Sequence, residues 1–389
     1  MPARVAAPPP LSPAPWWQER RRQLLAMMRD EVPRYVYHLP TVRQRALVLR
    51  DALDPIDTLF YSMKANGHEE ILRTVARARL GIECVSLPEV ERVRRVLGPK
   101  VAVLFTPNFC PLAEYARALE LGAEVVVDGP EPLRALPHVF RHRDIGVRID
   151  PGRGQGHHAK VRTAGATAKF GHPLEQAGEL ASAAAAVGAR VIGLHAHIGS
   201  GILDARAWTR TARTLLPLRS VFPHVRWMSL GGGLGIAYRP ERASLDLAAL
   251  GRSLATLSRR NAELDLRLEP GRFLVAEAGV LLAPVTQVRR KGRVTFVGIA
   301  TGMNSLLRPA LYAAWHGIHN LTRLGEPNSR RVDVVGPLCE SGDVLGRDRD
   351  LPETVPGDIL LIEHTGAYGA VMSSHYNLRP PAVEVVLRR

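Results

Sequence analysis

The chain has 389 residues, 46% hydrophobic and 5% aromatic, enough apolar sequence for one large domain and a smaller one. Its formal charge is +15, but the arginines behind that value are spread along the chain with no basic stripe interleaved with aromatics, which argues against a nucleic-acid partner. Three cysteines are too few for a disulfide framework, no apolar run reaches the roughly 18 residues that span a bilayer, and the N-terminus lacks a signal pattern, so the expectation is a cytoplasmic protein with no membrane partner.

Residues 1–24 read as a proline-rich leader or linker. "MPARVAAPPPLSPAP" offers nothing to pack, and "WWQERRRQLLAMMRD" then starts a short helix. Within 25–40, "RYVYHLP" is β-rich and ends at a proline, which predicts a strand. Across 41–273, short apolar runs recur: "TLFYSMKAN", "GIECVS", "VAVLF", "EVVVDG", "IGVRID", "VIGLHAHIG", "WMSLGGG" and "LRLEPGR". Stretches of helical period lie between most of them. Four of these, such as "EEILRTVARARLG" and "PLAEYARALELG", end in a glycine suited to a left-handed C-cap. Alternation of this kind predicts a parallel (β/α)8 barrel, with a doubly wound open sheet as the alternative. From 274 to 389 the texture becomes β-rich runs divided by Gly, Pro and Asp turns, with one helical insert near 309–323. That predicts an antiparallel β-barrel or sheet domain that also takes in "RYVYHLP", so the barrel would be inserted between two parts of the sheet domain.

In a barrel of this kind, chemistry gathers where strands end and loops begin. The first predicted strand ends in Lys64, one of only five lysines in the chain, at the end of an apolar run where an ammonium is costly to bury. The sixth ends in "HIGSG" (His197, Ser200), the seventh in "GGGLG" (Gly232, Gly233) and the eighth in "EPGR" (Glu269, Gly271, Arg272). Glycine-rich backbone after the late strands leaves amides free to approach an anion, the usual phosphate position in barrels. A lysine and a phosphate cradle on one rim point to pyridoxal 5'-phosphate. The amine would attach to its aldehyde, Glu269 would meet its ring nitrogen and His197 would stack on its ring.

"FYSMKANG", "HIGSG", "GGGLGI", "EPGR", "GMNSLLRPALY", "GPLCESGDVLGRD" and "GAYGAVMSSHYN", running in order from about residue 32 to the C-terminus, resemble the alanine-racemase-fold group of pyridoxal-phosphate decarboxylases, and within it the diaminopimelate decarboxylases. By that resemblance Lys64 is the Schiff-base lysine. Ser200, Gly232, Gly233, Glu269, Gly271, Arg272 and Tyr368 hold the cofactor. Arg272, Arg308, Tyr312, Glu340 and Tyr368 bind an amino-acid substrate, and Cys339 donates a proton at the carbon that loses CO2. The resemblance also implies a homodimer in which Cys339 and Glu340 serve the neighbouring barrel, and conversion of meso-2,6-diaminopimelate to L-lysine. "GMNSLLRPALY" is the most discriminating stretch for substrate, because Arg308 offers a forked donor to a distal carboxylate.

Other readings carry less. Decarboxylation of ornithine, arginine, carboxynorspermidine or a siderophore precursor is the nearest alternative. His195 and His197 form an H-x-H that could bind a metal in a barrel hydrolase, but the eighth strand offers "EPGR" where such an enzyme needs further ligands, and His157 and His158 lack partners at ligand spacing. No metal is expected. Retention of Lys64, Cys339 and Glu340 argues against a non-catalytic homologue. Cys84 and Cys110, in or beside apolar runs, read as core thiols.

Overall fold

The eight apolar runs become the staves of a closed barrel. The computed structural model describes residues 15–54, 56, 58–155, 163–165 and 167–389; the opening proline-rich stretch, 1–14, and His157 and His158 lie outside the described residues. After β1 (Arg34–His38), which belongs to a second unit, come β2 (Thr58–Ser62), β3 (Gly81–Cys84), β4 (Val103–Phe105), β5 (Glu124–Val127) and β6 (Asp144–Asp150). A two-residue strand, β7 (His172–Pro173), pairs beside the end of β6, and β8 (Arg190–His195), β9 (Trp227–Ser229) and β10 (Asp265–Leu268) follow. Each barrel strand pairs in parallel with the next, β5 with β6, β6 with β8 and β10 back with β2, which closes the ring. Helices cover the outside, so the strands are apolar on both faces and read as continuous runs. The helix Glu69–Arg77 shows the local logic. His68 caps it by accepting from the Glu70 amide, Glu69 and Glu70 sit in its first turn where the helix dipole favours acids, and it buries Ile71, Leu72 and Val75.

Three of the four predicted glycine caps are left-handed: Gly98 (φ 78°), Gly122 (φ 71°) and Gly188 (φ 74°). The fourth is not. Arg79 (φ 62°) takes the left-handed turn after the Glu69–Arg77 helix, and Gly81 opens β3. Glycine is needed there for space, because a Cβ would lie 2.6 Å from the Phe60 ring.

Inside the barrel, Trp227 packs with Phe60, Leu104 and Val126. Its indole occupies the place of a Cβ on Gly193, which would stand 2.0 Å from it. The Arg267 guanidinium lies 4.4 Å over the same indole and pairs with Glu124 and Asp265, both at 2.6 Å. This plug leaves the strand C-termini as the place for exposed chemistry.

The chain divides into a barrel unit, Leu49–Ile236 with Ala243–Phe273, and a sheet unit formed by residues up to Val48, Ala237–Arg242 and Leu274–Arg389. The sheet unit contains β1, β11 (Gly279–Lys291), β12 (Val294–Ile299), β13 (Ile318–Asn320), β14 (Arg330–Val335), β15 (Val344–Leu351), β16 (Ile359–Ile362) and β17 (Val383–Leu387). Most pairings are antiparallel, but β1–β17 and β12–β14 are parallel, so the sheet is mixed. β11 joins its two halves: Gly279–Pro284 pairs with β1 or β16, and the strand runs on past a register shift at Val285/Gln287 to pair with β12. The helical insert expected near 309–323 is a single short helix, Arg308–Tyr312, stopped by left-handed Ala313 (φ 50°), and β13 follows.

Two short helices, Trp16–Glu19 and Arg21–Met27, pack in the sheet unit's core, where Trp16, Trp17 and Leu24 join Val36, Leu282 and Leu361. The Trp16 indole donates to the Glu277 carbonyl and that of Trp17 to the Glu363 carboxylate, each at 3.0 Å. Among the described residues no helix is long and apolar enough to cross a membrane. The three cysteines are free: Cys84 is buried as expected, Cys339 is exposed, and Cys110 is only half-buried, which corrects its reading as a core thiol. Cys110 sits past the end of β4, in the loop before the helix Ala113–Glu120.

Candidate active site

β2 runs apolar through Leu59, Phe60 and Tyr61 and then breaks into a single turn of 3-10 helix, Met63–Ala65, which carries Lys64 at the strand's C-terminal end. The Lys64 Nζ stands 2.7 and 2.8 Å from the two carboxylate oxygens of Glu83 on β3. Thr106, just after β4, donates to Glu83 Oε1 at 2.6 Å. The Glu83 side chain is 0% exposed and that of Lys64 31%, so the acid is sealed in the barrel while the amine faces the open end. A buried counter-ion explains how a lysine can follow an apolar strand.

Around the rim, β8 leads into His197 and Ser200, β9 into Gly231–Gly233 and β10 into Glu269–Arg272. The Gly232 amide donates to His197 Nδ1 at 3.1 Å, and Arg272 Nη2 donates to Ser200 Oγ at 2.9 Å. Burial, with Lys64 and Arg148 nearby, pushes the His197 imidazole well below its ordinary range. The glycines are required by close backbone approach: a Cβ on Gly232 would lie 2.1 Å from the Glu269 carbonyl and one on Gly233 (φ 90°) 2.4 Å from that of Gly199. Gly271 is tight as well, with Ser62 and Ala65 at 3.1 Å from its missing Cβ. Glu269 is 2% exposed and is held by His195 and Ser229. Burial pushes its carboxyl up, but the attraction of the His195 imidazole and hydrogen bonds from His195 and Ser229 outweigh that and hold it below the usual carboxylate range.

The barrel unit thus gathers Lys64, His197, Ser200, Gly232, Gly233, Glu269, Gly271 and Arg272 at the strand C-termini. The other named residues belong to the sheet unit. Arg308, 2% exposed, donates from Nη1 to His316 Nε2 at 2.8 Å, with its guanidinium 4.7 Å over the Tyr238 ring. Tyr312 closes the same short helix and is half-buried. The Cys339 amide donates to Asn377 Oδ1 at 2.9 Å, and Glu340 accepts from the Tyr376 hydroxyl at 2.5 Å. Tyr368 is half-buried with a left-handed backbone (φ 56°).

Residues 39–276 match the sequence profile of the family described as pyridoxal-dependent decarboxylase, pyridoxal binding domain. The chain belongs to the pyridoxal-dependent decarboxylases. A diaminopimelate decarboxylase of Methanothermobacter thermautotrophicus is 35% identical over 342 residues, covering 85% of this chain and 80% of its own. One from Streptomyces coelicolor is 34% identical, covering 91% and 84%. Among solved structures, the diaminopimelate decarboxylase of Helicobacter pylori complexed with L-lysine superposes with a TM-score of 0.85 at 29% identity over 94% of each chain. This chain is therefore a decarboxylase whose cofactor is pyridoxal 5'-phosphate.

The rim fits that group. An amine for the aldehyde, a backbone cradle that any side chain would fill, and a buried carboxylate are present together in this decarboxylase. Sequence reading missed Glu83, Thr106 and Ser229. The signal for Glu83 was an acid inside the apolar run "GIECVS", and for Ser229 a hydroxyl just before the glycine triplet. Gly232→Ala should force the Glu269 backbone aside and lower kcat by on the order of 10²-fold, with cofactor lost faster on dialysis. Unchanged turnover in a well-folded variant would show that the close approach at Gly232 plays no part in the reaction.

Proposed function

We propose that this decarboxylase removes CO2 from meso-2,6-diaminopimelate and releases L-lysine, in the cytoplasm. The observation that carries the chemistry is the Lys64 amine, held on buried Glu83 beside the glycine cradle. The substrate rests on relatives named for it, which share about a third of their residues with this chain over at least 80% of their lengths.

Bound pyridoxal phosphate supplies an electron sink for the electron pair released as CO2 leaves. Lys64 would hold the cofactor through its aldehyde. Ser200 and the backbone of Gly232, Gly233 and Gly271 would take its phosphate with Arg272 and Tyr368, Glu269 would meet its ring nitrogen, and His197 would cover its face. Arg272, Arg308, Tyr312, Glu340 and Tyr368 bind the substrate, a charged acid-and-amine far end being suited to a guanidinium and a carboxylate. Cys339 delivers the proton to the carbon that loses CO2.

The direct test is CO2 release from diaminopimelate, ornithine, arginine and carboxynorspermidine, each with added cofactor. Turnover of another substrate with silence on diaminopimelate rejects the assignment. We further propose a homodimer in which Cys339 and Glu340 of one copy serve the barrel of the other. Mixing inactive Lys64→Ala with inactive Cys339→Ala under exchange conditions should then restore up to about a quarter of wild-type activity, because half the dimers are mixed and each mixed dimer has one intact site. No recovery despite demonstrated exchange would show that each site is built within one chain.

A further inference from the structure

The H-x-H of β8 divides its two histidines. His197 accepts from the Gly232 amide, whereas His195 turns to a different partner. His195 is 1% exposed, and its Nε2 lies 3.1 Å from Glu269 Oε1 and 3.2 Å from Oε2. The barrel register makes the meeting unavoidable: His195 pairs with Ser229 across β8–β9, and Ser229 pairs with Arg267 across β9–β10, two residues before Glu269. Ser229 Oγ donates to Glu269 Oε1 and itself accepts the Gly231 amide at 3.2 Å. A relay of Gly231 N–H, Ser229 O–H and Glu269 therefore fixes one side of the carboxylate, and His195 fixes the other.

The other ring nitrogen settles the direction of the histidine bond. Among the described residues, His195 Nδ1 is buried with no hydrogen-bond partner. With its hydrogen on Nε2, the imidazole donates to the carboxylate and leaves only a lone pair at the buried Nδ1. The opposite tautomer would set a lone pair against the carboxylate and bury an N–H without an acceptor, the costlier arrangement on both sides.

We propose that His195 is a positioning residue of the reaction: with Ser229 it holds the Glu269 carboxylate in the orientation that meets the cofactor's ring nitrogen. The inference rests on the reading of Glu269 given above and adds a residue that acts only through it. His195 needs a donor at Nε2 and nothing more, so a glutamine amide can stand in for it while an aliphatic side chain cannot.

The test uses holoenzyme of four variants: His195→Leu, His195→Gln, Glu269→Gln and the double variant His195→Leu/Glu269→Gln. His195→Leu is expected to lower kcat by about 10- to 100-fold with KM changed less than about twofold, the scale of losing an outer partner of a working group. It should also lose cofactor several-fold faster on dialysis, read from the visible absorbance. His195→Gln should recover most of both. The double variant should be no worse than Glu269→Gln alone, because two residues acting through one carboxylate are not additive. Additive losses in the double variant overturn the proposal. So does a His195→Leu enzyme whose turnover per bound cofactor is unchanged, since that marks a packing role. If Glu269→Gln alone leaves turnover intact, the reading of Glu269 fails instead, and the single variants tell the two failures apart.

Discussion

Lys64→Ala will purify colourless and at least about 10⁴-fold less active, the scale of removing the group that bonds the reacting partner. It will also be less stable, and the structure separates the two losses. Lys64 is the charge that meets Glu83, whose side chain has no exposure and which also accepts from the Thr106 hydroxyl. Removing the cation leaves a buried carboxylate without its ion-pair partner, a cost of up to about 3 kcal/mol given that the lysine end of the pair is partly open to water. The double variant Lys64→Ala/Glu83→Gln removes the stranded charge and should regain most of the lost unfolding free energy, measured by denaturant titration. It should regain no activity and no visible absorbance. A coloured or active single variant would mean that another amine holds the cofactor. Stability that does not return in the double variant would mean that the Lys64–Glu83 pair is not what the fold loses.

That pair also shows what a sequence can and cannot disclose about a barrel. Lys64 was legible because it breaks an apolar run, and the cradle was legible because three glycines in a row have few structural uses. Glu83 was not assigned because its partner is 19 residues away along the chain and is reached only through strand register, Ser62 lying opposite Glu83 across β2–β3. The same holds for Glu269, whose companions His195 and Ser229 sit on two other strands at positions set by pairing alone. Periodicity found all eight barrel strands because helices on the outside keep both faces apolar. It missed β13, which has three residues, and β15, where exposed Arg347, Asp348 and Asp350 break the apolar pattern. It also placed the caps by glycine alone and so misassigned Gly81, where packing against Phe60 decides.

Arg308→Leu will raise KM for diaminopimelate by on the order of 10²-fold while changing kcat far less, because a group that grips the far carboxylate contributes equally before and during the chemical step. The geometry that supports this is a guanidinium fixed in advance. His316 Nδ1 donates to the Glu363 carbonyl at 2.7 Å, which leaves Nε2 as the acceptor for Arg308 at 2.8 Å. The Tyr238 ring beneath the guanidinium is braced edge-on by His316 and His364 at 5.4 and 5.7 Å. A lysine has neither the planar fork nor the reach to both supports, so Arg308→Lys should restore only part of the affinity. Product chemistry supplies an independent reading. Loss of CO2 from one end of diaminopimelate leaves the other carboxylate on L-lysine, so inhibition by L-lysine should weaken by the same factor as KM, whereas cadaverine, with no carboxylate, should inhibit both enzymes alike. A thermal melt within a few degrees of wild type would place the loss in binding and not in folding. If KM and lysine inhibition both stay put in such a protein, Arg308 does not hold the carboxylate, and the choice of diaminopimelate over simpler diamino acids loses its physical basis.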